Sequence, residues 1–304
     1  MKLGLLTAPF PDLSLLDVAD WANSVGFDVL EVACWPHSAG PSRRYAGTSH
    51  IDVAGLSVTQ GQEIVAALAE KNIAISALGY YPNPLHPDPA HREAVIGHLK
   101  EVIIAAGRMG VSVVNTFCGG DASKNVDQNW AEALKIWPDI VAHARDHGVR
   151  LAFENCPMIF SRDEWPGGHN IAYSPNVWRR ILDAFSGEVG MNFDPSHLIW
   201  QMIDMERFIR EFGPHMLHVH AKDLMIDRDG LYEHGILSAG IGWQVPRMPG
   251  LGEVDWRVFF SGLYRAGYDG PVVIEHEDRQ FEGSDDKVKR GFQIARDVLQ
   301  PYVK

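Results

Sequence analysis

Four times in this chain a helix-like segment runs into a glycine and then directly into an apolar, strand-like run. The junctions are Ser24-Val25-Gly26-Phe27, Arg108-Met109-Gly110-Val111, Asp146-His147-Gly148-Val149 and Arg265-Ala266-Gly267-Tyr268. Glycine at such a point supplies the left-handed conformation that stops a helix without a steric penalty. Each following run is short and nearly continuously apolar, the mark of a strand buried on both faces. Reading outward from the junctions predicts eight strands, at about 3–8, 29–34, 73–79, 111–118, 149–156, 189–194, 216–222 and 271–277. Amphipathic helices alternate with them: Val95, Leu99, Val102, Ala106 and Met109 share one face, as do Val288, Phe292, Ala295 and Leu299. Alternating strands and helices build a parallel sheet, and eight such units favour a closed (β/α)8 TIM barrel over an open doubly wound sheet. No Gly-x-Gly-x-x-Gly follows the first strand to suggest a dinucleotide site. Without a Pro- or Ser-rich linker, residues 1–304 read as a single α/β domain. The irregular stretches at about 36–60, 157–173 and 224–254 are long for connections, and long barrel loops usually build sites.

Charge narrows the partners. Lysine and arginine number 27 against 39 aspartates and glutamates, a net charge of −12. A protein that neutralises many phosphates needs a basic face, so nucleic acid is not the expected partner; a small neutral or weakly charged molecule is. No run approaches the roughly 18 uninterrupted apolar residues of a membrane span. The opening Met1–Thr7 segment is too short an apolar stretch for a secretory signal, which makes the cytoplasm the expected location. Cys34, Cys118 and Cys156 lack CxxC spacing and an odd count argues against a disulfide framework; they read as small buried fillers. A homo-oligomer stays open, since the 224–254 loop could reach a neighbouring subunit or cover its own barrel.

In such a barrel the site lies at the C-terminal ends of the strands, so polar residues should appear late in each strand. The fifth strand runs into Glu154-Asn155-Cys156-Pro157, the sixth into Asp194-Pro195-Ser196-His197, the seventh through His218-Val219-His220, and the eighth into Glu275-His276-Glu277. Four consecutive strands thus deliver Glu154, Asp194, His220 and Glu275 to one rim. Burying several like charges together is prohibitive without a compensating cation. Three carboxylates and an imidazole suit one divalent ion, Mn2+ first, with Mg2+, Co2+ or Zn2+ also compatible. Strand parity puts His218 on the side of His220 but deeper, groups Glu275 with Glu277, and turns His276 outward toward the helices. Trp35, Tyr80 and Tyr81, near the ends of the second and third strands, could form an apolar wall at this rim and would be equally ordinary as core residues.

The strings Phe153-Glu154-Asn155, Phe193-Asp194-Pro195-Ser196-His197, His218-Val219-His220-Ala221-Lys222-Asp223, Pro249-Gly250-Leu251-Gly252-Glu253-Val254-Asp255-Trp256 and Ile274-Glu275-His276-Glu277 resemble the sugar phosphate isomerase/epimerase group. That group lies in the xylose-isomerase-like TIM barrel superfamily of the AP endonuclease family 2 type, with ketose 3-epimerases, inosose dehydratases and isomerases, and abasic-site nucleases. The resemblance is sharpest from about residue 150 to 278 and, like the strand-end reading, implies metal ligation by Glu154, Asp194, His220 and Glu275. It further implies an acid-base pair in Glu154 and Glu275, a substrate contact through His197, and a substrate-binding Arg247 in the loop before Gly250. The nuclease branch uses extra histidines from earlier strands. His37 and His86 could mimic part of that cluster, with His86 also placed to touch substrate, but the fourth strand ends in Asn115-Thr116-Phe117-Cys118 and offers none.

The expected function is a metal-dependent isomerase or epimerase of a sugar or keto-sugar. One glutamate removes a proton beside a carbonyl, giving an enediolate, and its counterpart returns one. If the enediolate expels a β-hydroxyl or β-alkoxyl, the same site is a lyase, a dehydratase of a keto-inositol or a lyase of a 3-keto-glycoside. A non-catalytic sugar-binding barrel and an abasic-site endonuclease are the weaker alternatives. No phosphate-cradling glycine loop stands out after the seventh or eighth strand, which favours an uncharged sugar or cyclitol.

Overall fold

The computed structural model describes residues 1–36, 47–159, 168–236 and 242–303. Eight parallel strands close into a barrel: β1 (Lys2–Leu6), β2 (Val29–Ala33), β3 (Ala74–Gly79), β4 (Val113–Thr116), β5 (Arg150–Glu154), β6 (Val189–Phe193), β7 (Met216–Ala221) and β10 (Pro271–Ile274). They follow one another around the ring in chain order, and β10 pairs with both β7 and β1. The expected TIM barrel is therefore present, with strands shorter at their C-terminal ends than the apolar runs suggested. The shortening matters, because Asp194 and Glu275 come just past the last paired residue, where side chains can turn into the barrel mouth.

The four junction glycines behave as the sequence requires. Gly26, Gly110, Gly148 and Gly267 have φ of 88°, 74°, 70° and 73°. Their helices begin with equally local signals. Asp88 caps α3 (Pro89–Met109) by accepting from the His91 N–H, with Pro89 in the first turn. Ser57 and Gln60 form a reciprocal capping box on α2 (Val58–Glu70), as Asn125 and Gln128 do on α4 (Val126–Asp146). The predicted faces of α3 and of α10 (Asp285–Leu299) are buried.

Strand parity divides the core. Leu30, Val32, Leu151, Phe153, Met191 and Phe193 join the continuous apolar layer beneath the helices. Val29, Ala33 and Val273, and separately Ala77, Val113 and Ala152, form small clusters of the opposite parity, the lumen layers of a barrel. Glu31 shares that parity with Val29 and Ala33, so its carboxylate is committed to the interior.

Residues 224–236 and 242–254 are more regular than their sequence implied. Strand β8 (Asp223–Ile226) pairs antiparallel with β9 (Gln244–Arg247), and α8 (Arg228–His234) follows β8. The reason is an apolar alternation: Leu224 and Ile226 are buried with Trp200 and Trp243, while Met225 points outward. Among the described residues no helix is long and apolar enough to cross a membrane.

Candidate metal centre

Glu154 is the last residue of β5, Asp194 follows β6, His220 lies within β7 and Glu275 follows β10. The backbone at these ends is pinned by asparagines. Asn155 donates to the Asp194 carbonyl at 2.8 Å and accepts from the Asp194 N–H at 2.7 Å, tying β5 to β6. Asn170 donates to the carbonyls of Glu154 and Cys156 at 2.9 and 2.6 Å. Asp194 spends one oxygen, Oδ1, on the Ser196 N–H at 2.8 Å, which leaves Oδ2 directed elsewhere.

His220 Nδ1 lies 3.2 Å from Glu275 Oε2 and 3.7 Å from Glu154 Oε2. Donors bound at about 2.0–2.2 Å to one ion sit roughly 3 Å apart, so these three atoms are spaced as members of one coordination shell. All three residues offer atoms within 4.8 Å of one another. His220 Nδ1 and Asp194 Oδ2 are buried without a well-formed hydrogen bond; their neighbours are ionic, Glu275 for the imidazole and Lys222 for the carboxylate. The donor chemistry and these two atoms fit a divalent ion.

Of the four predicted ligands, Asp194 stands slightly apart. Its Oδ2 lies 3.0 Å from Lys222 Nζ and 3.1 Å from His197 Nε2. Lys222 also reaches Glu275 Oε2 at 2.8 Å and Glu277 Oε2 at 3.2 Å, which agrees with the shared side expected for the two glutamates. The sequence reading did not single out Lys222; the cue was available, two residues past His220 and so on the same side of the strand. Burial opposes its charge, but Asp194, Glu275 and Glu277 hold its ammonium well above the ordinary lysine range. The same contacts separate the two glutamates. Burial, reinforced by the Glu275 charge, raises the Glu154 carboxyl. At Glu275 burial is outweighed by Lys222 and His220, which hold it at about 2.

Beneath this rim lies a second polar layer, of which the sequence reading placed His218 but missed Glu31. Glu31, fully buried, accepts from His220 through Oε2 at 2.6 Å and from the Tyr81 hydroxyl through Oε1. His218 lies deeper, with Nδ1 3.0 Å from Asn192 Oδ1 and Nε2 3.1 Å from Ser76 Oγ. That matches its expected place below His220. The signal for Glu31 was a lone carboxylate inside the apolar run Val29-Leu30-Glu31-Val32-Ala33.

Above the rim opens a cavity of about 350 Å³. Trp35 and Tyr81, with ring centroids 5.9 Å apart, and Phe117, 5.1 Å from Tyr81, line one wall. Glu154, Lys222, Glu275 and Glu277 also line it. His86 reaches the cavity beside His91, their rings 4.2 Å apart. His197 sits beside the candidate ligands, 3.5 Å from Glu154 Oε1. Tyr80 is buried against His98 of α3 instead. Arg247 closes β9, where its Nε lies 3.1 Å from Asp278 Oδ2 and its terminal nitrogen donates to Gln280; it is not among the described residues lining the cavity. His276 packs on Phe292 of α10, as parity predicted. His37 lies outside the described residues. Cys34 and Cys118 are the buried fillers expected, whereas Cys156 corrects that reading: it is half-buried on the cavity wall, beside Glu154 and His197.

Comparison with known proteins agrees with this architecture. The sequence profile of the xylose isomerase-like TIM barrel matches residues 19–299. The uncharacterized protein YfiH of Bacillus subtilis (strain 168) is 28% identical, covering 91% of this chain and 93% of its own. Among solved structures, D-psicose 3-epimerase of Clostridium cellulolyticum H10, determined with D-tagatose, superposes with a TM-score of 0.70 at 17% identity over 100% of both chains. The IOLI protein with a bound zinc atom gives 0.71 at 16% identity, again over 100% of both. At these identities the two structures testify to the fold.

Proposed function

The chain belongs to the xylose isomerase-like TIM barrel family, and we propose on that premise that it is a divalent-metal-dependent isomerase or epimerase of a sugar, keto-sugar or cyclitol. Glu154, His220 and Glu275, with Asp194, would hold the ion, Mn2+ being the first candidate for so oxygen-rich a set. Bound there, the cation would stabilise negative charge developing on a carbonyl oxygen.

The observation that carries the reading is geometric: two glutamates meet one imidazole nitrogen, with Glu275 Oε2 at 3.2 Å and Glu154 Oε2 at 3.7 Å from His220 Nδ1. Two carboxyls that face one cavity supply a base and an acid to a substrate bound there. One glutamate takes the proton from the carbon beside the carbonyl, and the electron pair moves onto the carbonyl oxygen. The other gives a proton back, to the opposite face of that carbon for epimerisation, or to the former carbonyl carbon for isomerisation, where the adjacent hydroxyl proton passes to the former carbonyl oxygen. Trp35, Tyr81 and Phe117 would hold the apolar face of the ring, and His86 and His197 would meet its hydroxyls. Arg247, engaged by Asp278, would act on substrate by bracing the rim near β9.

A second reading, elimination, is favoured by one observation. The Lys222 ammonium lines the cavity as a fixed positive charge beside Glu275, and such a charge steadies the oxygen of a departing β-hydroxyl while a glutamate protonates it. Metal analysis of the purified protein and incubation of ketoses and keto-inositols in D2O distinguish the outcomes. Isomer change, with or without deuterium gain, supports the first reading, and loss of water supports the second. Absence of bound metal after Mn2+ addition, or full activity in both Glu154→Gln and Glu275→Gln, defeats both.

A further inference from the structure

We propose that Glu31 is a positioning residue for the metal centre: it accepts the Nε2–H hydrogen bond of His220 and so dedicates Nδ1 to the ion. The inference rests on the metal-site reading above and adds to it which nitrogen binds and what fixes that choice.

Glu31 lies on β2, outside the four strands that carry the candidate ligands. An ionised carboxylate can only accept hydrogen bonds. Its Oε2 is 2.6 Å from His220 Nε2, so that nitrogen must carry the hydrogen. The other ring nitrogen, Nδ1, then faces Glu275 and Glu154 at 3.2 and 3.7 Å with its lone pair available once an ion replaces its proton. A metal-bound imidazole whose second N–H meets a carboxylate has a fixed orientation and is a stronger donor, and removing that partner typically costs 10–100-fold in metal affinity.

The surroundings are built for this contact. Glu31 is 0% exposed, and a carboxylate in such a place is costly without partners. Tyr81 donates to its other oxygen, leaving Oε2 for the histidine. Gly79, on the neighbouring strand β3, clears the space: a Cβ there would lie 2.6 Å from Glu31 Oε1 and 3.1 Å from the Tyr81 ring.

The test uses the whole 304-residue chain, histidine-labelled with 15N and loaded with Zn2+, a diamagnetic probe. The His220 ring should show Nδ1 as the metal-bound nitrogen and Nε2 as a slowly exchanging N–H. In Glu31→Gln, which keeps the size and an accepting oxygen, competition titration should show Zn2+ and Mn2+ affinity lowered by about 10–100-fold, with the far-UV circular dichroism spectrum retained. Ligation through Nε2 in the wild type would overturn the inference even if the variant failed to fold. Equal affinity in wild type and Glu31→Gln would overturn it while leaving the metal reading intact. A wild type that binds neither ion would bring down both.

Discussion

The Lys222 ammonium lies 3.0 Å from Asp194 Oδ2, inside the group of acids that would hold a divalent ion. Its contacts with Glu275 and Glu277 extend the arrangement, so a fixed internal cation already offsets three carboxylates. In the metal-free chain Lys222→Met leaves those acids uncompensated, a loss on the order of 3–5 kcal/mol for a buried network. Saturating Mn2+ should restore much of it. Thermal melts of both proteins with and without Mn2+ are therefore expected to show a larger metal-induced rise in Tm for the variant; an equal rise would mean that lysine and ion do not share the same acids.

Gly79 is required by space rather than by backbone angle. Alanine there places a Cβ 2.6 Å from the Glu31 carboxylate, and overpacking of this kind costs about 1–3 kcal/mol. The displaced carboxylate should also carry His220 out of line. Gly79→Ala is expected to lower both the urea midpoint and the Mn2+ affinity; a loss of stability with metal affinity intact would separate the glycine from the centre.

Asp223 organises the Pro249–Trp256 turn. Its carboxylate accepts from the backbone N–H groups of Leu224, Gly250 and Val254 at 2.9 Å each and from Trp256 Nε1 at 3.1 Å. Hydrogen bonds to a buried charge are worth about 1.5–3 kcal/mol each, so Asp223→Asn should destabilise the protein by roughly 3 kcal/mol in denaturant melts. Metal stoichiometry should stay at the wild-type value, because Asp223 lies outside the ligand group. A changed stoichiometry would contradict that division.

His218 gives the metal-free protein a pH dependence. Burial, aided by the charge on His220 and opposed by Glu31, pushes it down to about 4. A histidine whose folded value lies below its unfolded value of about 6.5 binds its proton more readily in the unfolded chain. Its contribution is therefore complete above about 6.5 and declines as the pH falls from there to 4, by up to an order of 3 kcal/mol. Urea melts in EDTA should show that decline, and His218→Gln should flatten it. A variant with the wild-type slope would assign the acid sensitivity elsewhere.

Much of the barrel was legible because its signals are local. A glycine at φ near 70–90° after each of four helices, and apolar faces such as Val288–Leu299, announce themselves within one turn. The rim residues were legible for a related reason, since Glu154, Asp194, His220 and Glu275 each interrupt or end an apolar run. What escaped depends on relations across the barrel. Glu31 and His220 are 189 positions apart, and nothing near either residue names the other. The β8–β9 hairpin escaped because its alternation is only a few residues long, and the burial of Leu224 and Ile226 depends on distant Trp200. Cys156 looked like filler because its exposure is set by cavity shape, not by its neighbours in sequence.

The bond between Glu31 and His220 also bears on how such a barrel can be rebuilt. It joins β2 to β7, strands three places apart around the ring, through the interior instead of along the sheet. The recognisable motifs lie in the second half of the chain, yet the histidine among them is held by a residue of the first. A chimera that grafts residues 150–278 onto the N-terminal half of another barrel would inherit the ligands but lose their brace. For exchange or circular recombination of half-barrels, the portable unit is the later half together with Glu31, Tyr81 and the small residue at position 79.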